Sequence, residues 1–228
     1  MGVKWIRAVL TAISIAALSG AACQAQTSAD SQAQANSAGR TQASASEGEF
    51  DIGLSFYEAL NHSTSGNGTQ QTTTNAAGGM LEARYIQNAL VGFELTYGFN
   101  PANQTLRPTS TNCGYVCANP VTPLTAKASE VGLGWVFSKK FGNIQPFAVA
   151  GLGFFITAAG KSTYEVNTVV RPTFIGGGGV DVGILPRVGI RAQFRDNVYK
   201  APNLSAFYPP TGVYTQTLEP MVGLYFNL

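Results

Sequence analysis

From Phe50 onward the chain alternates between apolar and polar or small residues with a period of two. Between Val91 and Phe99, Val91, Phe93, Leu95, Tyr97 and Phe99 share one face, and Gly92, Glu94, Thr96 and Gly98 share the other. Successive side chains of a strand point to opposite faces, so this spacing predicts strands with one apolar and one polar face. The last stretch repeats it, with Leu218, Val222, Leu224, Phe226 and Leu228 opposed to Thr217, Glu219, Gly223, Tyr225 and Asn227. The pattern predicts strands over about 50–60, 79–88, 90–100, 128–139, 144–158, 166–184, 187–199 and 214–227. Each is near the roughly 9–11 residues with which a tilted strand crosses a bilayer.

The connections predict how these strands are arranged. Those around Asn88, around Phe141-Gly142-Asn143 and around Leu185-Pro186-Arg187 are tight. Those over 61–78, 101–127 and 200–213 are long and polar, and the one near Gly160-Lys161-Ser162 is shorter. Short turns at one end and long loops at the other are the pattern of transmembrane barrels. The expected fold is therefore all-β, an eight-stranded antiparallel up-and-down transmembrane β-barrel.

Charge decides which face meets lipid. Asp51, Glu82, Arg84, Glu94, Glu130, Arg171, Asp181, Arg191, Arg195 and Glu219 fall on the same face as most of the strand glycines, among them Gly53, Gly98, Gly132 and Gly177. An arginine on the lipid face costs roughly 2–4 kcal/mol at the midplane, whereas the interior of an eight-stranded barrel is just wide enough to be filled by side chains. The charges are thus expected inside and the aliphatics outside. A barrel-interior charge network of Glu82, Arg84, Glu94, Glu130, Arg171, Asp181, Arg191, Arg195 and Glu219 is expected, in which Arg171, Arg191 and Arg195 pair with some of Glu94, Glu130, Asp181 and Glu219. Mixed signs on facing strands favour a plugged or narrowly conducting lumen over a ring of one sign. Composition agrees: 11% of residues are charged, against about 25% in soluble domains, and glycine and aromatics are abundant.

The amino terminus is expected to be a targeting segment. Lys4 and Arg7 precede the short apolar run Ala8–Ala17 and the small residues Ser19-Gly20-Ala21-Ala22, the arrangement of a secretory signal peptide. Cleavage after Ala22 and after Ala25 both fit, and Gly20 three before Cys23 fits a lipidation site poorly. Residues 1–25 are assigned to the signal peptide and 26–48 to a disordered tether without aromatic or large aliphatic residues. Residues 49–228 are expected to form the outer-membrane β-barrel domain. Secretion places Cys113 and Cys117 in an oxidising compartment, where a disulfide closing a tight loop is expected.

Two stretches carry a more specific signal: Ile144-Gln145-Pro146-Phe147-Ala148-Val149-Ala150-Gly151-Leu152-Gly153, and the glycine run Gly176–Gly179 leading through Val180-Asp181-Val182 and a tight turn into Arg187–Asp196. With them the chain resembles the outer-membrane β-barrel domain superfamily that includes the transmembrane domain of outer membrane protein A. The alternating carboxyl terminus (Val222, Leu224, Phe226) resembles the assembly signal of such barrels, departing from it in a final Leu228 where an aromatic is usual. The resemblance implies a monomer in the bacterial outer membrane, inserted by the barrel assembly machinery and in contact with outer-membrane lipid and lipopolysaccharide. It does not imply one activity.

Candidate chemistry is sparse. His62 is the only histidine and the net charge is +2, so neither a multi-histidine metal site nor nucleic-acid binding is expected. No catalytic residue, metal or cofactor is assigned. Phe155–Ser162 (FITAAGKS) lacks the first glycine of a phosphate-binding loop. His62-Ser63 at the head of the first long loop has only Glu58 as a nearby acid, which leaves a serine–histidine pair without its orienting group. The sequons at Asn61, Asn67, Asn103 and Asn203 all fall in expected outer loops. A structural or surface-interaction role without catalysis is expected, with a small weakly selective channel as the alternative and a lipid A-modifying enzyme using His62 behind it.

Overall fold

A computed structural model describes residues 48–87, 90–109, 122–160, 168–205 and 208–228. The expected signal peptide, the tether up to residue 47 and the Cys113/Cys117 pair lie outside the described residues. Among the described residues there are twelve strands. Eight form the wall: β1 (Glu49–Asn61), β4 (Ala76–Ile86), β5 (Val91–Pro101), β8 (Ala126–Ser138), β9 (Ile144–Ala159), β10 (Val169–Leu185), β11 (Val188–Lys200) and β12 (Tyr214–Asn227). Four short strands lie in the connections: β2 (Thr64–Gly66), β3 (Thr69–Thr73), β6 (Gln104–Pro108) and β7 (Thr122–Leu124).

The wall closes in the order β1-β12-β11-β10-β9-β8-β5-β4, every neighbour antiparallel. The first and last strands complete it, with Leu54 opposite Leu224 and Asp51 opposite Asn227. Closure leaves no unpaired strand edge, which a sheet in lipid requires. The eight expected segments are these eight wall strands. The largest shifts of boundary are at β4 and β10, each starting three residues from its expected position.

One short turn shows its cause. Phe141 and Ile144 exchange backbone hydrogen bonds around Gly142-Asn143, and Gly142 has φ +61°, the glycine-first geometry of a two-residue hairpin.

Alternation carries directly into burial. On β8, Glu130, Gly132, Gly134 and Val136 face in, while Val131, Leu133, Trp135 and Phe137 face out. The outer face forms a continuous apolar belt including Leu54, Phe56, Leu95, Leu133, Leu152, Phe174 and Leu224; Leu133 is 58% exposed and Phe174 63%. Aromatics mark its two ends, Phe50 and Phe226 by the short turns and Tyr97 and Phe99 towards the long loops.

The long connections are not only polar loops. Strands β2, β3, β6 and β7 form a second sheet, in that order. Asn67 (φ +49°) and Gly68 (φ +76°) make the tight turn between β2 and β3, the Asn-Gly pair that suits a hairpin turn with two left-handed residues. Leu106 and Leu124 from this sheet pack with Ala126, Leu204 and Tyr208 in a small buried cluster. The Gln71 amide donates to the Pro202 carbonyl (2.9 Å) and the Asn67 amide to the Pro210 carbonyl (2.8 Å), tying the first long connection to the last.

Candidate functional site: the charged lumen

Three buried arginines organise the lumen. Arg191 on β11 grips Asp181 of neighbouring β10 with two donors, Nε to Oδ1 (2.8 Å) and Nη2 to Oδ2 (3.0 Å). Its Nη2 also donates to Asp51 Oδ1 (3.1 Å) on β1, and its Nη1 to Glu82 Oε2 (3.3 Å) on β4. Arg84 on β4 donates through Nε to Glu94 Oε2 (3.0 Å) on β5, and its Nη2 makes a second, shorter contact with the same oxygen. Arg84 Nη1 then reaches Asp181 Oδ2 (3.1 Å). Arg195, two inward positions beyond Arg191, donates to Glu94 Oε1 (3.2 Å) and lies 3.9 Å from Glu130 Oε1. Buried charge is tolerated only when it is paired and hydrogen-bonded, and this planar, five-donor group meets several carboxylates at once.

Strand order makes several of these bonds transverse. Between β4 and β10 lie β1, β12 and β11 on one side and β5, β8 and β9 on the other, so Arg84 and Asp181 bridge opposite walls. Two inward glycines give the large groups room. A Cβ on Gly53 would stand 3.0 Å from Glu82 Oε2 and 3.2 Å from Arg191 Nη1, and one on Gly98 would stand 2.8 Å from Glu130 Cγ.

Aromatic and apolar groups complete the filling. The Arg84 guanidinium lies 4.1 Å from the centre of the Phe147 ring, and that of Arg191 lies 5.1 Å from the centre of the Tyr225 ring. Nearer the long loops, Phe155 and Tyr199 stack with centroids 4.2 Å apart. Phe147, Phe155, Met80, Met221, Tyr57, Tyr199 and Tyr225 are buried in this otherwise charged interior, and the sequence reading assigned none of them a role. The available signal was their phase for five of them: Met80, Met221, Tyr57, Tyr199 and Tyr225 share the period-two face of inward charges on their own strands, whereas β9, which carries Phe147 and Phe155, has no charged residue.

One expected pairing differs in the structure, and one carboxylate of the expected network is held without an arginine. Arg171 lies on the lumen-side register of β10 but is only half-buried, makes no ion pair among the described residues, and has a buried Nε without a hydrogen-bond partner. It stands opposite Phe155, whose ring separates it along the register from Glu130. Glu219 is fully buried and takes its hydrogen bond from the Asn197 amide (2.9 Å), not from an arginine. Of the residues singled out in the first long loop, His62 is exposed, Glu58 points outward, and the Ser63 hydroxyl lies 3.3 Å from that of Thr72, to which it donates.

At the short-turn end the lumen opens into a cavity of about 370 Å³ whose lining includes Asp51, Arg84, Asp181, Gln145 and Tyr225. An exposed Lys140–Glu49 pair (3.2 Å) lies at this mouth.

Solved structures with this architecture are outer-membrane proteins. OprG from Pseudomonas aeruginosa matches with a TM-score of 0.55 at 13% identity, over 80% of this chain and 96% of that one. Neisserial surface protein A matches with a TM-score of 0.52 at 12% identity, over 78% of this chain and 97% of that one. The fold is that of the eight-stranded outer-membrane barrels. The resemblance read from 144–153 and 176–196 therefore holds at the level of architecture. No family model matches the chain, and no curated protein sequence matches it. In outer-membrane barrels the lumen is where pore, plug or binding site is built, and here it is packed with ion pairs.

Proposed function

We propose that this chain is a bacterial outer-membrane protein with a structural or surface-interaction role and a closed lumen. The observation that carries the reading is the sorting of side chains across the wall, with an exposed apolar belt outside and arginine–carboxylate pairs sealed inside. Soluble monomers rarely expose an apolar surface of this continuity, and in lipid it is the stable arrangement. The short turns then face the periplasm and the capped long connections face outward. Exposed Lys127, Lys200 and Arg107 near the long-loop end suit contact with the phosphates of lipopolysaccharide. The carboxyl-terminal alternation of Val222, Leu224 and Phe226 suits delivery by the barrel assembly machinery, and the barrel acts as a monomer.

A diffusion channel needs a continuous water path. The cavity at the short-turn end meets Arg84 and Asp181, and Arg191 and Arg195 fill the section beyond, which supports a plug. A catalytic role would need an organised nucleophile and base; Ser63 is engaged with Thr72, and His62 is solvent-exposed beside it. The test is heat-modifiable gel migration of the membrane protein together with planar-bilayer recording on the same sample. Faster migration of the unheated band without defined conductance steps is the expected result. Regular open-channel steps in the wild-type protein would replace this reading with the small channel, and His62-dependent acyl release from lipopolysaccharide would replace it with an enzyme.

A further inference from the structure

The cavity at the short-turn end, about 370 Å³, is large enough for a small ligand, and its charges are already matched. Asp51 is paired with Arg191 (3.1 Å), Asp181 with Arg84 (3.1 Å) and Arg191 (2.8 Å), and Glu49 with Lys140 (3.2 Å). A cation entering here meets Arg84 and Lys140, and an anion meets Asp51 and Asp181. The lining therefore disfavours net charge of either sign in its occupant.

Hydrogen-bonding capacity is matched less well than charge. The buried Asp51 carboxylate offers two oxygens with roughly four lone-pair sites. Among the described residues one nitrogen serves both oxygens: Arg191 Nη2, 3.1 Å from Oδ1 and 3.2 Å from Oδ2. That same nitrogen also donates to Asp181 Oδ2 (3.0 Å). Arg84 stands opposite Asp51 in the register of β1 and β4, yet its bonds go to Glu94 and Asp181. Beside Asp51, on β12, Tyr225 is buried and its hydroxyl has no hydrogen-bond partner among the described residues. Across the lumen on β9, Gln145 donates from Nε2 to Ser138 Oγ (3.0 Å), which leaves its Oε1 for the cavity. The cavity thus presents spare acceptors on Asp51 and Gln145 and a group on Tyr225 that both donates and accepts.

We propose that this cavity binds one neutral sugar residue through a vicinal diol held by Asp51. Neighbouring hydroxyls supply two donors side by side, one for each carboxylate oxygen, and each hydroxyl oxygen can in turn accept from Tyr225 Oη. Hydrogen bonds to a charged acceptor are the stronger kind, so Asp51 is the anchor and Tyr225 and Gln145 set orientation. Ile86 and Pro186 add apolar lining for the C–H face of a sugar ring. A site built for hydroxyls discriminates against analogues lacking them, because its buried polar groups are then left unpaired. The site depends on the cavity itself, whichever side of the membrane the short turns face and whether or not the lumen conducts.

The experiment uses the full chain folded into a zwitterionic detergent that carries no sugar headgroup. Glucose, galactose and N-acetylglucosamine, each free and as its methyl glycoside, are titrated while the backbone amide signals of Asp51, Gln145, Gly183 and Tyr225 are followed by NMR. At least one probe is expected to shift these signals saturably, with one site per chain. Binding of the methyl glycoside supports a sugar at the end of a longer glycan as the source, and binding of the free sugar alone supports a soluble saccharide. Asp51→Asn should abolish the shifts. Tyr225→Phe removes a hydroxyl without a protein partner, so it should fold like the wild type and weaken binding roughly tenfold, the loss of one hydrogen bond. Ser65→Ala on the outer sheet should change nothing. Protonated glucosamine and gluconate should bind more weakly than the neutral probes. The proposal is overturned if no neutral probe binds saturably, if either charged probe binds as tightly, or if folded Tyr225→Phe and Asp51→Asn proteins bind like the wild type.

Discussion

Arg84 and Asp181 meet across the lumen, Nη1 to Oδ2 at 3.1 Å, although 97 residues and three intervening wall strands separate them in either direction. Asp181 is shared with Arg191, so the bridge joins β4, β10 and β11 into one cross-braced unit. Removing one partner of a buried pair leaves the other charged and unsatisfied. Arg84→Ala is expected to destabilise the barrel by about 3–5 kcal/mol. The urea midpoint of gel heat-modifiability should fall accordingly. Because the two residues share a direct contact, Arg84→Ala combined with Asp181→Ala should cost less than the sum of the single changes.

The same bracing closes the pore. Arg191 contacts Asp51, Glu82 and Asp181 at once and lies beyond the short-turn cavity. Arg191→Ala removes the largest group from that section and leaves three carboxylates facing a widened lumen. Planar-bilayer currents should rise above the wild-type baseline and favour cations. Currents and melting both unchanged would show that Arg191 neither plugs nor braces.

Much of this was legible in the sequence, and the failures are specific. The period-two pattern identifies every wall strand because lipid on one side and a packed lumen on the other impose opposite demands on successive residues. It places Arg84, Glu94, Asp181, Arg191 and Arg195 on one face, but it cannot tell which carboxylate an arginine reaches, since partners such as Arg84 and Asp181 belong to opposite walls. Arg171 shows that limit: its register is inward, yet it makes no ion pair among the described residues and stays half-exposed. The outer sheet was missed although Asn67-Gly68 is a strong hairpin signal, because the flanking strands are only three and five residues long and mostly polar. Leu106, Leu124, Leu204 and Tyr208 are isolated apolar residues in two separate connections, and only tertiary packing joins them.

That cluster should be a separable unit. Leu106 and Leu204 are each 1% exposed, and truncating a buried leucine costs roughly 2–5 kcal/mol where its surroundings cannot collapse. With Leu106→Ala and Leu204→Ala combined, the loss falls on the outer sheet and not on the closed wall. Limited proteolysis should cut within the long connections faster than in the wild type, while the midpoint for barrel unfolding changes little. A matching fall in both would mean that the cap and wall unfold together.

Room inside the wall is as constrained as charge. Gly98 lies against Glu130, and its Cβ position is 2.8 Å from Glu130 Cγ. Gly98→Val should therefore displace Glu130 from the Asn197 amide and cost about 1–3 kcal/mol by overpacking. Gly68, with open space around its Cβ position and φ +76°, is the contrasting case. Substitution there strains only the turn between β2 and β3, so Gly68→Val should leave the barrel midpoint near the wild-type value.

The assignment of the outer face to lipid makes the sharpest demand. Leu133 sits midway along β8, is 58% exposed, and pairs with Leu95 and Leu152 on either side. An arginine at mid-depth costs roughly 2–4 kcal/mol in a bilayer and far less where water reaches it. Leu133→Arg should lower the urea midpoint of the protein folded in phosphatidylcholine vesicles by a corresponding amount. Arginine at Ser65, exposed on the outer sheet, should be tolerated. If Leu133→Arg and Ser65→Arg behaved alike in vesicles, the belt would not be facing hydrocarbon, and the outer-membrane reading would lose its main support.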